Sequence, residues 1–481
     1  MILGFTMLKD RARIYNSNLK NLFFNITVIT ILVISFALLI IPIIYIKWNS
    51  FDVMDLSLYS ILIFIPLFII AILGTNSIIK NDTKRYKKLT YFYIALLFIY
   101  IMSLLFVVWE SNDYIKYLSK WYGYYSTHNL KDALYGIIDV SNYTPAYNYF
   151  LILMAKLGFT DLYGIKLITF LFSLLLAFII TKIISSIKKT NFNYLIFVSI
   201  LLLPMVLIEY TAWGQCDAIY TSFALLAFYF AINKKSKLCF MFLGISFAFK
   251  LQFLFIVPIL FVMLIIKDEN GDRYLKWKDI WIVPVMYCIN LIPAISGRSI
   301  LDLLTVYINQ STEDNRLAGN CANICQIYML LDLDNSSIKN VLMISHLALT
   351  MIMLFIILFL VFKRYKKYGL TKNDLVFYGM VFAFTMVFFM PKMLDRFFYI
   401  ALMLSIINVC VNKNKINMLI SVFMNFAVYL SVCHSYDLFF NQNVTRTFAI
   451  IVNTITLVFI ILAIVKNERN KNLKIEEYVN D

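Results

Sequence analysis

Long apolar segments alternate with short polar connectors along nearly the whole chain. Most of these segments approach the 20 or so residues that a helix needs to cross a bilayer core about 30 Å thick. They lie at 25–46, 57–79, 90–109, 162–183, 192–209, 215–232, 238–250, 251–266, 279–296, 339–361, 373–390, 395–411, 416–434 and 445–465. The pattern predicts an all-α polytopic membrane protein with about 14 transmembrane helices.

Two stretches admit more than one interpretation. Residues 143–157 are apolar enough to span a membrane, but we predict an amphipathic helix in the outer interface, because another span would reverse every later loop. The run 238–266 is too long for one ordinary helix and has Lys250 near its middle. It is therefore predicted to form two short helices that meet at Lys250 near the external face.

Composition and charge agree with this topology. The 481 residues are 62% hydrophobic and carry a formal net charge of +16, whereas soluble domains are roughly 45–50% apolar. Lys and Arg concentrate in every second connector, which is the positive-inside signature of loops on the cytoplasmic side. The distribution of positive charge therefore predicts cytoplasmic termini, with the lipid bilayer and no nucleic acid as a partner. The high usage of Asn, Lys and Ile favours a bacterial source, and hence a bacterial plasma membrane. The loops 110–161 and 297–338 are then external.

Cysteine and histidine give no sign of a metal site. The seven Cys are scattered, and Cys321 and Cys325 have no His near them in sequence. Zinc sites need closely spaced groups of such ligands. We predict no metal-ligating residues and no cofactor, and the sequence leaves metal dependence open.

The first candidate for chemistry follows the third apolar segment. Ser111 or Asn112 can cap a helix there, which places Asp113 in its first turn. Apolar and aromatic residues recur at helical spacing from Ile115 to Tyr125, which favours an amphipathic helix with its aromatic face on the membrane surface. An ionised carboxylate just above the lipid boundary suits a general base, although this loop alone favours the simpler interpretation of Asp113 as a residue that starts a helix.

Other candidates lie on the same predicted side of the membrane. Acids and amides at the ends of apolar segments suggest function because burying them near lipid is costly, and Lys and Arg outside the cytoplasmic loops suit a phosphate. Tyr and Trp can stack on a sugar ring, or simply form an interfacial aromatic belt, and Lys250 can equally be a snorkelling side chain. These predicted substrate-binding residues are Asn142, Tyr143, Trp213, Gln215, Asp217, Lys250, Gln252, Asn323, Asp395 and Arg396.

The order of these motifs resembles a known family. It is similar to the GT-C superfamily of membrane glycosyltransferases that use polyprenyl-phosphate sugars, and within it to bacterial mannosyltransferases related to the eukaryotic GPI mannosyltransferase II. The motifs that match, in order, are Asn112-Asp113-Tyr114, Asn142-Tyr143-Thr144-Pro145, Trp213-Gly214-Gln215 with Asp217, Lys250 with Gln252, Asn320 with Asn323, and Lys392-Met393 with Asp395-Arg396. The chain departs from the family pattern at Thr144, where the family often has Pro. It also departs at Leu394-Asp395-Arg396, where the family often has His-Glu-Arg.

The resemblance implies a division of the chain and a reaction. A GT-C-like catalytic core at 90–411 would follow two added helices at 1–89 and precede two further helices and a tail at 412–481. Asp113 would be the catalytic base of an inverting transfer of a mannose-like hexose, and Lys250 and Arg396 would neutralise the departing phosphate. The partners implied are a polyprenyl-phosphate sugar donor and a glycan or glycolipid acceptor on the external face.

Two other function classes stay open. A transporter or flippase of lipid-linked glycans would usually show repeats and Gly- or Pro-broken helices near the midplane, whereas this chain has 13 Gly and 8 Pro. A polysaccharide polymerase or ligase would use a lipid-diphosphate donor and depend on external Arg residues rather than on Asp113.

Overall fold

The computed structural model describes residues 53–81, 85–295, 298–313, 316–335, 337–434 and 442–480. The predicted first span at 25–46 lies outside them. The helices up to the middle of the chain are α1 (Val53–Asn81), α2 (Arg85–Leu105), α3 (Ser119–Thr127), α4 (Leu130–Tyr135), α5 (Ile137–Val140), α6 (Pro145–Lys156), α7 (Asp161–Lys188), α8 (Tyr194–Leu201), α9 (Pro204–Ile208), α10 (Asp217–Ile232), α11 (Ser236–Phe249) and α12 (Val257–Ile265).

The second half of the chain is also helical. It contains α13 (Ile282–Leu291), α14 (Ile300–Leu304), α15 (Val306–Glu313), α16 (Gln326–Leu330), α17 (Lys339–Tyr368), α18 (Lys372–Phe389), α19 (Tyr399–Val411), α20 (Lys415–His434) and α21 (Gln442–Asn480). Short 3-10 helices lie at Leu251–Ile256, Trp277–Asp279, Ile292–Ile295 and Leu333–Asn335, and π-helical turns at Tyr114–Leu118 and Glu209–Trp213. Within the described residues, the sheet content is one parallel pair, β1 (Ala318–Gly319) with β2 (Met393–Leu394).

The prediction of an all-α membrane protein is confirmed at this level. Among the described residues, eight helices are long and apolar enough to cross a membrane, and the pair formed by α8 and the 204–213 segment makes a ninth if its 63° bend lies within one span. Four shorter apolar helices coincide with predicted spans: Asp217–Ile232, Ser236–Phe249, Leu251–Ile265 and Tyr399–Val411. The protein is therefore a multi-pass membrane protein, while the total of 14 spans stays a prediction.

The long helices differ in how much of their surface is buried by other parts of the protein. Nearly every side chain of α18 is buried by protein, including the bulky Phe382 and Phe384. In contrast, α17 leaves large apolar side chains such as Ile344 and Phe359 about two-thirds exposed. Exposed apolar faces of this size on long helices are what a lipid environment requires.

By its internal contacts, the described part of the chain divides into two compact units, with the boundary between residues 105 and 106. In the first unit, α1 and α2 are joined by hydrogen bonds between Ser60 and Tyr100 (2.7 Å) and between Thr75 and Tyr93 (2.5 Å). All the predicted site residues lie in the second unit. The functional boundaries predicted at 89/90 and 411/412 stay predictions.

The helix break predicted at Lys250 is confirmed. Helix α11 ends at Phe249, and Lys250 is extended, with φ −160° and ψ 140°, before a 3-10 turn begins. An ionisable side chain inside an apolar run has to reach a polar partner. The break turns Lys250 away from the helix axis and toward such partners.

The predicted amphipathic helix after Asp113 forms, but its aromatic face packs on protein and not on the membrane surface. Trp121, Tyr122 and Tyr125 are buried in α3, whereas Ile115 is 51% exposed. The Tyr125 hydroxyl donates to Asn148 Oδ1 on α6 (3.0 Å). The 3.6-residue period locates an apolar face but does not say whether lipid or another helix covers it. Within the stretch 143–157 the structure has α6 (Pro145–Lys156), a helix of 12 residues.

Candidate active site

Four segments that are far apart in the sequence meet at one cluster of charged side chains. They are the turn before α3 with Asp113, the corner between the Glu209–Trp213 turn and α10 with Gln215 and Asp217, the break at Lys250, and the segment after β2 with Asp395 and Arg396. We call Asp113, Asp217, Lys250, Asp395 and Arg396 the charged cluster. Every member contacts another through an ion pair of 3.4 Å or less.

Asp113 is held at the start of its helix by Ser111. The Ser111 hydroxyl accepts a hydrogen bond from the Tyr114 N–H (3.1 Å) and donates to the Trp213 carbonyl (3.1 Å). It thus caps the helix, as the sequence predicted for Ser111 or Asn112, and also ties it to the next segment. The side chain of Asp113 is 26% exposed, the highest value in the charged cluster.

Among the described residues, the side-chain hydrogen bond and the ion pair of Asp113 both involve the same carboxylate oxygen. Its Oδ2 accepts from Gln215 Nε2 (3.0 Å) and pairs with Arg396 Nη2 (3.1 Å). Oδ1 has no hydrogen-bond or ion-pair partner among the described residues. A carboxylate oriented through one oxygen, with the other oxygen open, has the geometry needed to accept a proton from a bound molecule.

The corner that carries Gln215 depends on a glycine. The π-helical turn ends where the Gly214 N–H bonds to the Glu209 carbonyl (2.9 Å), and Gly214 has φ +71°. That left-handed conformation is costly for other L-residues. A Cβ atom at Gly214 would also lie 3.0 Å from Ile165 Cγ2. The backbone reversal here aims Trp213 and Gln215 at the charged cluster.

We expect Gly214→Ala to lower the free energy of unfolding by about 1–2 kcal/mol from backbone strain alone, with a further loss from crowding against Ile165. Thermal unfolding in detergent measures the change. Gly158→Ala is the matched control, because Gly158 has φ +84° and a Cβ atom there would have nothing within 4 Å. Equal losses at the two positions would contradict the role assigned to Ile165.

A buried ion pair lies at the centre of the cluster. Lys250 Nζ is 2.8 Å from Asp217 Oδ1, and the two side chains are 4% and 0% exposed. Asp217 lies in the first turn of α10, where the helix dipole favours a negative charge, and its N–H bonds to Glu209 Oε1 (2.9 Å). Removing Lys250 would leave the buried Asp217 with Arg396, whose Nε lies 3.2 Å from Oδ2, as its remaining cation.

Aromatic rings surround the Lys250 ammonium. Its Nζ lies 5.5 to 5.7 Å from the ring centroids of Tyr143, Tyr220 and Phe397. Rings at this distance stabilise a cation electrostatically. Tyr143 continues into an aromatic row with Trp121 (5.3 Å) and Tyr147 (5.9 Å). Burial raises the pKa of Tyr143 to about 12 although Lys250 opposes the rise, so its hydroxyl is protonated at physiological pH and does not act as a base.

Arg396 joins the parts of the cluster. Its Nη2 contacts Asp113, its Nε contacts Asp217 Oδ2 (3.2 Å), and its Nη1 contacts Asp395 (3.4 Å). The guanidinium also lies over the Trp213 ring, 5.2 Å from its centroid. An arginine side chain stays protonated in proteins, and three carboxylates around this one favour its charge further. Arg396 is therefore a fixed cation.

The loop 317–328 holds the Arg396 segment in place. Strands β1 and β2 pair, and the Asp395 N–H bonds to the Gly319 carbonyl (3.0 Å). The Asn323 amide donates to the carbonyls of Val387 (3.2 Å) and Met390 (3.1 Å) at the end of α18. Asn323 is fully buried, so it acts on the segment that leads to Arg396.

The predicted site residues therefore fall into three groups. Those that meet in or around the charged cluster are Asp113, Tyr143, Trp213, Gln215, Asp217, Lys250, Asp395 and Arg396. Asn323 lies behind the cluster as a support. Asn142 directly precedes Tyr143 and Gln252 lies two residues after Lys250, so both are next to the cluster in sequence, and their part in substrate binding stays a prediction.

Three residues around the cluster were not among the predicted site residues. Glu209 is fully buried and holds the N–H of Asp217, and Tyr220 and Phe397 complete the ring contacts of Lys250. The signal for Tyr220 is its spacing, since it lies three residues after Asp217 on the same helix face. Phe397 directly follows Arg396. Glu209 is the last residue of the apolar segment 192–209, but nothing in the sequence shows that it accepts from the Asp217 N–H.

The arrangement can bind an anionic molecule next to a potential proton acceptor. Two fixed cations and a row of aromatic rings lie beside a partly exposed carboxylate, and the described residues contain no group of three His, Cys, Asp or Glu positioned to hold a metal ion. The chain matches no protein-family model, and no curated protein is detectably similar to it in sequence.

Proposed function

We propose that this protein is an inverting glycosyltransferase that moves a mannose-like hexose from a polyprenyl-phosphate donor to a lipid-linked or envelope glycan. The observation that carries the proposal is the meeting of Asp113 with Arg396, Gln215 and the Asp217–Lys250 pair. The order of motifs in the sequence, which resembles GT-C enzymes, gives independent support for the donor class.

The chemistry follows from the roles of the side chains. Asp113 Oδ1 takes the proton of an acceptor hydroxyl as that oxygen bonds to sugar C1. The bond from C1 to the phosphate oxygen breaks at the same time, and its electron pair leaves with the polyprenyl phosphate. Lys250 and Arg396 stabilise the negative charge that grows on the leaving group. Attack opposite the leaving group inverts the configuration at C1.

The location of the site is part of the proposal. The concentration of Lys and Arg in alternate loops supports cytoplasmic termini and about 14 spans. The charged cluster joins residues from predicted external segments, so the reaction takes place at the external face of a plasma membrane. A membrane-bound donor suits such a site because its lipid chain stays in the bilayer while its phosphate reaches Arg396.

A panel of donors tests the reaction class. The purified protein in nanodiscs is offered hexoses on polyprenyl phosphate, polyprenyl diphosphate and nucleotide carriers, with a glycolipid acceptor. We expect transfer from the lipid monophosphate only. Transfer from the diphosphate alone would identify a polymerase or ligase instead. Movement of an intact lipid-linked glycan across proteoliposomes, without transfer, would identify a transporter.

A further inference from the structure

We propose that the donor's phosphate takes Arg396 away from Asp113, so that donor binding itself frees the general base. This rests on the proposed function, because it assumes a lipid monophosphate at the charged cluster. The exchange precedes the reaction, and its test does not require sugar transfer.

Each guanidinium nitrogen of Arg396 has a carboxylate neighbour. Nε contacts Asp217, Nη1 contacts Asp395 and Nη2 contacts Asp113, at 3.2, 3.4 and 3.1 Å. Lys250 is likewise occupied by Asp217. Nη1 and Nη2 each carry a second N–H, so a phosphate oxygen that approaches Nη2 meets Asp113 as its neighbour and as a competitor for the charge of Arg396.

Burial indicates which carboxylate gives way. The Asp217 side chain is 0% exposed and also holds Lys250, and the Asp395 side chain is 6% exposed. Asp395 is further fixed because its N–H bonds to Gly319 and its Oδ1 accepts from the Arg396 N–H (2.9 Å). Asp113 is 26% exposed, and its contacts to Gln215 and Arg396 come from outside its own helix. Asp113, on Nη2, is thus the most exposed of the three carboxylates around the guanidinium.

The exchange has a direct consequence for the chemistry. A guanidinium beside a carboxylate favours the charged form, so it opposes the proton uptake that a general base performs. When a phosphate oxygen replaces Asp113 on Nη2, the guanidinium pairs with the phosphate, and the Asp113 carboxylate no longer shares Oδ2 with it. Asp113 becomes an effective base only when a donor is present, and the acceptor hydroxyl is not activated in its absence.

Binding of a short prenyl phosphate to the full-length protein in nanodiscs tests this exchange. Asp113→Asn removes the competing charge, so we expect it to bind the prenyl phosphate about tenfold more tightly than wild type, a coupling of ordinary size. Asp113→Ala removes the same charge without an amide and is expected to act in the same direction. Inorganic phosphate should show the same dependence on Asp113 at lower affinity, because the shared phosphoryl group makes the contact.

Two controls separate this effect from others. Asp139→Asn removes one negative charge from the same loop region, where Asp139 pairs with Arg298 and not with the cluster, so it should leave the affinity unchanged. A prenol without phosphate should bind the wild type and both Asp113 variants equally. A gain in prenol binding in the variants would show an effect on the lipid chain and would overturn the proposal.

The outcomes also separate this inference from the proposed function. If wild type binds the prenyl phosphate no better than the prenol, the lipid-monophosphate function itself fails. If wild type binds it well and both Asp113 variants bind it equally or more weakly, Asp113 does not compete for Arg396. The proposed exchange is then wrong while the proposed function stands.

Discussion

Asp113→Asn is expected to lower sugar transfer by about 10²- to 10⁴-fold, the usual contribution of a positioned general base. Asn has the same shape and an oxygen that can still accept from Gln215 Nε2, which lies 3.0 Å from Asp113 Oδ2. Its amide does not take up the acceptor proton. Initial rates with a polyprenyl-phosphate hexose, at saturating donor, measure the loss as a change in kcat.

The control for this prediction is a second Asp-to-Asn change in the same loop region. Asp139→Asn breaks a contact with Arg298 outside the charged cluster and should transfer sugar at the wild-type rate. Thermal unfolding of both variants tests whether the fold is intact. A fully active Asp113→Asn protein would exclude Asp113 from the chemistry and direct attention to Asp217.

Lys250→Met is expected to lower the free energy of unfolding by about 3 kcal/mol, the low end for breaking a buried ion pair, because Asp217 loses its nearer cation and keeps only Arg396. The 2.8 Å pair has side chains that are 4% exposed or less, so solvent screens it little. The double change Asp217→Asn with Lys250→Met removes both charges of the pair. It should therefore recover most of the stability that Lys250→Met alone loses. Unfolding in a denaturing detergent series measures all three proteins.

Lys234→Met is the matched control for this pair. Lys234 contacts Asp268 and Asp272 at the surface, and its side chain is 32% exposed. Water screens such pairs, so this change should have a much smaller effect. If the double variant is less stable than Lys250→Met alone, Asp217 supports the fold through Arg396 and Glu209 rather than through Lys250.

Local features of the site were predictable from the sequence. The helix break at Lys250 follows from a cation in an apolar run, and the capping role of Ser111 follows from its place before a helical repeat. Helix position and capping depend on residues within one or two turns. These features therefore appear in the sequence without knowledge of the tertiary fold.

Pairings between distant segments were not predictable from the residues alone. Nothing in the local pattern places Arg396 against Asp113, which is far away in sequence, or pairs β1 with β2. The burial of Trp121, Tyr122 and Tyr125 against protein likewise depends on where α6 lies. Such contacts depend on long-range packing. A single sequence shows that residues of a suitable type are present, but it does not show which of them meet.

Anomeric analysis of a single-turnover reaction is the decisive experiment on the proposed transfer. The purified wild-type protein is given a synthetic polyprenyl-phosphate hexose of known configuration, and released polyprenyl phosphate and transferred sugar are counted together. We expect one polyprenyl phosphate per sugar transferred, inverted configuration in the product, and loss of both signals in Asp113→Asn. Retained configuration, or undiminished transfer by Asp113→Asn, would show that Asp113 is not the base of an inverting transfer.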